Sequence, residues 1–296
     1  MRDFFPRHGF LQLVTLSLAA ALFGCASRPE APVMTPLAAD AAARTTERLS
    51  AVLPADVLLL GEQHDAAEHQ RIHQQVIATL ASRGMLAAVV LEMADVGAST
   101  AALKPSATEA EAQAALKWNE AGWPWAAYGP AIMAAVRAEV PVVGGNLPRE
   151  RMRDSMAEKS LDGQLPGPAL KAQQQLIRIG HCGLLPESQI TPMTRIQIAK
   201  DISMAKTLAQ SALPGKVALL LAGSVHVDRS LGVPQHLPPE LKARSILLKA
   251  GEGASTAAPS TPAFDSTWST PQIAAVDYCA GLADQLRKGS GGMQRP

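Results

Sequence analysis

The sequence predicts an α/β fold, a mostly parallel sheet flanked by helices with a small helical subdomain, from the way apolar and polar residues are distributed. Five short apolar runs show almost no polar alternation, as do strands covered on both faces. Helix-compatible stretches separate these runs, so strand and helix alternate along the chain. With 296 residues and 47% hydrophobic side chains, the chain can fill the core that such a sheet requires.

The runs are residues 56–60 (DVLLL), 86–91 (LAAVVL), 140–143 (VPVV), 217–221 (VALLL) and 245–248 (SILL), each beside a glycine, a proline or a charge. Helices are expected over 66–82, 109–119, 130–139, 169–177 and 194–211, with a short one over 239–243. The span 147–212 holds no strand-like run and reads as a helical insertion. Residues 252–262 (EGASTAAPSTP) read as a surface loop, and 289–296 as a disordered tail.

The first 24 residues stand apart from the expected domain, 44–288. Arg2 and Arg7 precede an apolar run from Phe10 to Leu22, the layout of a secretory leader and too short for a spanning helix. Leu22-Phe23-Gly24-Cys25 resembles a bacterial lipobox, which makes Cys25 the lipidated residue after cleavage. Ala26 after the cysteine resembles the outer-membrane-sorted class, and the Ala- and Pro-rich stretch 25–43 reads as a tether. The expected place is therefore the cell envelope, lipid-anchored at the outer membrane and facing the periplasm. Removing the leader takes away Arg2, Arg7 and Asp3 and leaves a formally neutral chain, which points away from a nucleic-acid partner. Cys182 and Cys279 remain, in an oxidising compartment where a pair forms if the fold brings them close.

Ligands of open α/β sheets bind beyond the carboxyl ends of the strands. Here 56–60 runs into Gly61-Glu62-Gln63-His64, 86–91 into Glu92, and 217–221 into Gly223-Ser224-Val225-His226. The pattern G-x-x-H thus occurs twice, with an acid at a third strand end. Glu62, His64, Glu92 and His226 could share a divalent metal such as zinc or manganese, poise one another for proton transfer, or form a buried network that pins loops. On the following helix His69 and His73 are four residues apart, on the stripe of Val76 and Leu80 beside Ile72, and so face the core behind the GEQH loop.

Trp118, Trp123, Trp125 and Tyr128 crowd into KWNEAGWPWAAYGP, although aromatics are 4% of the chain. They read as a core cap over the sheet end or as the wall of a planar ligand, with the Tyr128 phenol able to hold ferric iron.

These residues carry a family resemblance. GEQHD, LEM, the W-x-x-Y-x-P of Trp125 to Pro130, HCGLLPE from His181, a helix bearing Gln197, Lys200, Asp201, Met204 and Ala205, and LAGSVHVDRSLGVPQHL occur in order. Together they resemble the ChaN family of haem-binding, iron-regulated bacterial lipoproteins. The resemblance implies haem uptake, a tyrosine oxygen on the iron, and two haems stacked between the protomers of a homodimer, with an outer-membrane haem receptor as a partner. Tyr128 and Tyr278 are the available tyrosines, and the motif favours Tyr128, with His181 and Lys200 as candidates for the propionates. The wider superfamily includes the TIKI and TraB proteins and the erythromycin esterases. That relation implies an alternative, a metal-dependent or general-base hydrolase using Glu62, His64, Glu92 and His226.

Overall fold

A computed structural model describes residues 36–251 and 263–282. The leader, Cys25, the loop 252–262 and the tail lie outside the described residues. The six strands are β1 (Val57–Glu62), β2 (Leu86–Asp95), β3 (Val142–Asn146), β4 (Val217–Gly223), β5 (Ala243–Ala250) and β6 (Ser266–Thr270). They form one sheet in the order β3-β2-β4-β1-β5-β6. Every neighbouring pair of strands is parallel. Parallel neighbours need crossovers, and crossovers place helices on the faces, which is why the strands are unbroken apolar runs.

The helices are α1 (Pro36–Val52), α2 (Ala67–Ser82), α3 (Glu109–Leu116), α4 (Trp125–Arg137), α5 (Arg149–Ala157), α6 (Gly167–Gly180) and α7 (Glu187–Ser211). Successive strand residues face opposite ways, so each strand feeds two cores. Leu58, Leu60, Leu91, Leu219 and Leu221 pack with Leu49 of α1, Val76 and Leu80 of α2, and Ile132 of α4. Val57, Leu59, Val90 and Leu220 pack with Met204, Ala205 and Leu208 of α7. Each fully buried leucine contributes about 1.5–3 kcal/mol, so the two cores fix which helix lies over which strand. Among the described residues no helix is long and apolar enough to cross a membrane.

Several elements differ from the sequence expectation, for local reasons. α4 starts at Trp125 rather than Pro130, and α7 at Glu187 rather than 194, with Pro130 and Pro192 inside the helices. Each of α4 to α7 begins immediately after a proline, at 124, 148, 166 and 186, instead of after a Ser, Thr, Asp or Asn cap. For α4 the missing cap is replaced from a distance: the Glu120 carboxylate accepts the Trp125 backbone N–H at 3.0 Å. α5 has no buried residue and hence no apolar stripe to betray it. The short helix expected over 239–243 is a turn, closed by Leu241 N–H to Pro238 O, and β5 starts at its end. β6 (STWST) buries a single large side chain, Trp268, at the sheet edge. α1 runs back through part of the stretch read as a tether. Cys182 and Cys279 form a disulfide with Cα atoms 5.7 Å apart.

Trp268 is 3% exposed, and the Arg48 guanidinium lies 5.7 Å from its ring centroid. Trp268→Ala is expected to cost about 3–5 kcal/mol. The measurement is a lowered urea midpoint at unchanged slope, and a shift below about 1 kcal/mol contradicts the assignment of β6 to the core sheet.

Candidate functional site

The two G-x-x-H motifs interlock. In the sheet Glu62 is the register partner of Gly223, and Gly61 of Ala222. A Cβ on Gly61 would collide with Val227 and come within 3.0 Å of the Ser224 Cα, in the turn that follows β4. A Cβ on Gly223 would stand 2.9 Å from His64 Nε2. Each glycine therefore makes room for the other motif, which is the physical reason the pattern occurs twice.

Glu62 is 1% exposed. Its Oε1 accepts the Tyr128 hydroxyl at 2.7 Å and lies 2.7 Å from His64 Nδ1, while Oε2 accepts the Gln70 amide at 3.0 Å. Gln70 also donates to the His64 carbonyl, so α2 holds both ends of the loop. Burial alone would raise the Glu62 carboxyl, but the imidazoles of His73 and His64 and the Tyr128 hydroxyl outweigh it and hold it below its ordinary value. Nδ1 of His64 faces Glu62, so its proton is donated there and Nε2 is left towards the cleft. Burial lowers the His64 value, yet Glu62 and Glu92 bring it out above the ordinary one.

His69 and His73 back this loop, as their stripe predicts. His69 Nδ1 accepts the Gln63 N–H at 2.9 Å, and its Nε2 lies 3.0 Å from the Thr270 hydroxyl of β6. That tautomer is neutral, and burial lowers its pKa. His73 Nδ1 is 3.7 Å from Glu62, and burial pushes His73 down to about 4, so it is neutral at pH 7.

The second motif carries a different network. His226 Nδ1 is 2.5 Å from Asp201 Oδ1, and Nε2 is 3.2 Å from Glu92 Oε1. Glu92 Oε2 also accepts the Gly223 N–H at 2.7 Å. Burial opposes a charged imidazole, but the two carboxylates raise His226 to about 10, so it is an imidazolium at pH 7. Burial would raise Glu92 as well, yet the His226 charge holds it far below the usual carboxylate range. Asp201, on the far side, is raised by burial to about 6 against the pull of His226.

This arrangement lends no support to the metal reading of Glu62, His64, Glu92 and His226. The four do converge, but both His226 nitrogens are committed to carboxylates and have no lone pair to offer. Among the described residues no group of three or more His, Cys, Asp or Glu could hold a metal ion.

The aromatic cluster is a core cap. Trp118 stands 5.2 Å from Trp125 and 5.9 Å from Tyr128, and Gly129 leaves space for the Trp125 indole. Trp125 Nε1 donates to Glu109 at 2.8 Å and Trp118 Nε1 to the Trp123 carbonyl at 2.8 Å. Trp123 meets the His64 ring edge to face at 4.8 Å, a contact that steadies the imidazole from behind.

The site opens into a cleft of about 600 Å³, walled by Glu62, His64, Glu92, Gly223 and His226 on the sheet side and by Gly180, Gln197 and Tyr278 opposite. Its size is that of small-molecule sites, and its lining is mostly polar and charged, with Val225 and Tyr278 the apolar side chains in it. The tyrosine at the cleft is Tyr278, 57% exposed, whose hydroxyl donates to Asp65 Oδ2. That bond raises the Tyr278 phenol. Tyr128, favoured from its motif, is 2% exposed with its hydroxyl given to Glu62, and burial raises it far above an ordinary phenol. His181 caps α6, with Nδ1 2.8 Å from the Ile177 carbonyl, and Lys200 lies on α7; neither lines the cleft. Sequence reasoning passed over Asp65, Gln197 and Asp201 as cleft or network residues and placed Tyr278 second; Tyr278 sits next to Cys279, which was the available signal.

Residues 49–237 match the family model described as haem-binding uptake, Tiki superfamily, ChaN. A solved structure described as cofacial heme binding to ChaN of Campylobacter jejuni is 25% identical, with a TM-score of 0.58 over 70% of this chain and 86% of that one. A mutant erythromycin esterase, EreC, in its open conformation is 16% identical, with a TM-score of 0.43 over 69% of this chain and 72% of that one. The type III effector HopBA1 is 14% identical, with a TM-score of 0.39 over 74% and 88%. Neither of these two is similar enough to bear on function. No curated protein matches the chain.

His226→Gln leaves the buried Glu92 and Asp201 without the cation between them and is expected to cost about 3–5 kcal/mol. Because the folded value of about 10 exceeds the ordinary 6.5, the imidazolium contribution is complete below pH 6.5 and is lost as pH rises towards 10. Urea unfolding of wild type and variant should therefore differ most near pH 6.5 and converge towards pH 10. A gap that widens with pH contradicts the charged state assigned to His226.

Proposed function

We propose that this chain, which belongs to the haem-binding uptake family ChaN of the Tiki superfamily, captures haem in the cleft at the carboxyl ends of β1, β2 and β4. The observation that carries this is Tyr278, a phenol presented on the cleft wall and bonded to a carboxylate. A phenolate is a hard anionic oxygen donor suited to ferric iron. To bind a cation the phenol must give up the proton it donates to Asp65, and that bond holds the phenol protonated until a cation replaces the proton.

The residues present fit such a ligand in part. Val225 and Tyr278 are the apolar side chains among those lining the cleft, and Ile179, Leu184 and Val276 are exposed apolar side chains on the two segments joined by the disulfide. No Lys or Arg is among the residues lining the cleft, whereas Glu62, Asp65 and Glu92 are. The propionates are thus kept off the sheet side and turned outwards.

In this reading the protein is anchored through Cys25 at the outer membrane, facing the periplasm, receives haem from an outer-membrane receptor, and faces a second copy across stacked haems. Support comes from the L-x-G-C sequence after an apolar leader, and from the cofacial heme described for the Campylobacter protein.

A second reading, general-base hydrolysis, is favoured by His64, whose Nδ1 is fixed by Glu62 while the half-exposed ring turns Nε2 to the cleft. A positioned base of this kind contributes about 2–4 powers of ten in rate. Turnover of activated esters that disappears in His64→Ala and survives Tyr278→Phe supports it.

Titration with haemin tests the first reading. Tyr278→Phe should abolish the tyrosinate-to-iron absorption band and weaken binding at least tenfold. Tyr128→Phe should keep the band while losing about 1–3 kcal/mol of stability, because Glu62 forfeits a buried partner. A spectrum and affinity unmoved by Tyr278→Phe would falsify the assignment.

A further inference from the structure

We infer that the Cys182–Cys279 disulfide is the positioning element that holds Tyr278 at the cleft, and that opening it releases the phenol and weakens ligand capture. The inference about capture rests on the Tyr278 reading above; the inference about position does not.

The two half-cystines are held very differently. Cys182 lies in the turn between α6 and α7 with φ +57, a conformation fixed by Cys182 N–H to Ile179 O at 2.9 Å and Gly183 N–H to Arg178 O at 2.8 Å. The His181 ring adds a bond to the Ile177 carbonyl, and Gly180, in the same turn, lines the cleft. This half is therefore rigid and already at the site. Cys279 is in a segment with little hold of its own. β6 ends at Thr270, residues 271–277 have no regular secondary structure, and from 271 to 280 every residue except Ile273 is exposed. The Cys279 and Ala280 N–H groups bond only locally, to Asp277 at 3.0 and 3.1 Å. The segment also lies beyond the family match, which ends at residue 237. The cystine spans 97 residues and brings this segment onto the cleft.

Released, the link from Thr270 to Tyr278 is a flexible chain with a root-mean-square reach of about 15 Å. The phenol then spends a small fraction of its time against Asp65, and a ligand that needs it there binds more weakly by that fraction. A loss on the order of tenfold follows for a segment held there only through the Tyr278 hydroxyl, by Asp65 and Gln63. The covalent change is a two-electron reduction. A dithiol attacks one sulfur, closes to its own disulfide, and leaves Cys182 and Cys279 as two thiols after uptake of two protons.

The chain has two tyrosines, so protein labelled with carbon-13 in its tyrosine rings gives two ring systems, one buried and one from Tyr278. Without any haem, Cys279→Ser, or treatment of wild type with a dithiol, should carry the Tyr278 signals to random-coil positions and sharpen them, while those of Tyr128 stay put and far-ultraviolet dichroism is unchanged. Haemin should then bind at least tenfold more weakly and without the tyrosinate band. In a Tyr278→Phe background, Cys279→Ser should add nothing further. Tyr278 ring signals that keep their folded positions after the disulfide is opened overturn the positioning role, whatever haemin does. Released ring signals with haemin affinity indifferent to Tyr278→Phe overturn the dependence of capture on the disulfide and the ligand assignment together, and leave the positioning role supported.

Discussion

A carboxylate taken wholly out of water costs several kcal/mol unless charge or hydrogen bonds replace its hydration, and this fold buries two, Glu62 and Glu92, at the ends of adjacent-but-one strands. Much of the polar detail around the sheet follows from that constraint. α2 supplies Gln70 and His73 to the first carboxylate, and α4 supplies Tyr128. α7 supplies Asp201, which holds the imidazolium that neutralises the second. Helices from both layers are thereby tied to one edge of the sheet, and the edge is the site. Even β6 is recruited, since His69 joins the loop after β1 to Thr270.

The two histidines of the repeated motif end in opposite chemical states because their surroundings differ. His226 lies between two carboxylates with neither nitrogen free, and its charge is structural. His64 gives one nitrogen to Glu62 and holds the other 3.9 Å from Glu92 Oε2 on a ring that lines the cleft, so its imidazole is less committed than that of His226. The same four residues that resemble a metal set on paper thus divide into a supporting pair, Glu92 with His226, and a presented pair, Glu62 with His64. Spacing along the chain reports that the four meet; it does not report which nitrogens are already spent.

The central strands were legible because burial on both faces leaves an unmixed apolar signal, and the strand-end residues followed from parallel topology. What stayed hidden lacked an apolar pattern of its own. The start of α4 depends on the Glu120 carboxylate, just upstream, accepting the Trp125 N–H, α5 buries nothing, and β6 is a polar stretch with one tryptophan anchored by a distant sheet. The two tyrosines show the same limit. Local aromatic density drew attention to Tyr128, but density of that kind is how a core cap is built, and the interior phenol is spent on Glu62. Tyr278 stands alone in an exposed segment, and nothing near it marks it as a site residue except the neighbouring cysteine. With Cys279 joined to Cys182, the turn carrying HCGLLPE and the tyrosine become neighbours at once.

The electrostatics of the cleft also limit how a dianionic planar ligand can lie in it. Its sheet side presents Glu62 and Glu92, compensated by His64 and His226, and Asp65 stands at the rim. Compensated carboxylates leave no spare cation for a propionate, and adding one there would place like charge against buried charge at several kcal/mol. In the proposed reading the propionates would therefore lie away from the sheet side, with Tyr278 as the residue that would hold the iron. Ile179, Leu184 and Val276 are exposed apolar side chains on the segments joined by the disulfide, surface that a second protomer would cover in the proposed reading. The acidity of the sheet edge, set by the fold's own need to bury two carboxylates, is thus the constraint under which the proposed ligand would have to bind.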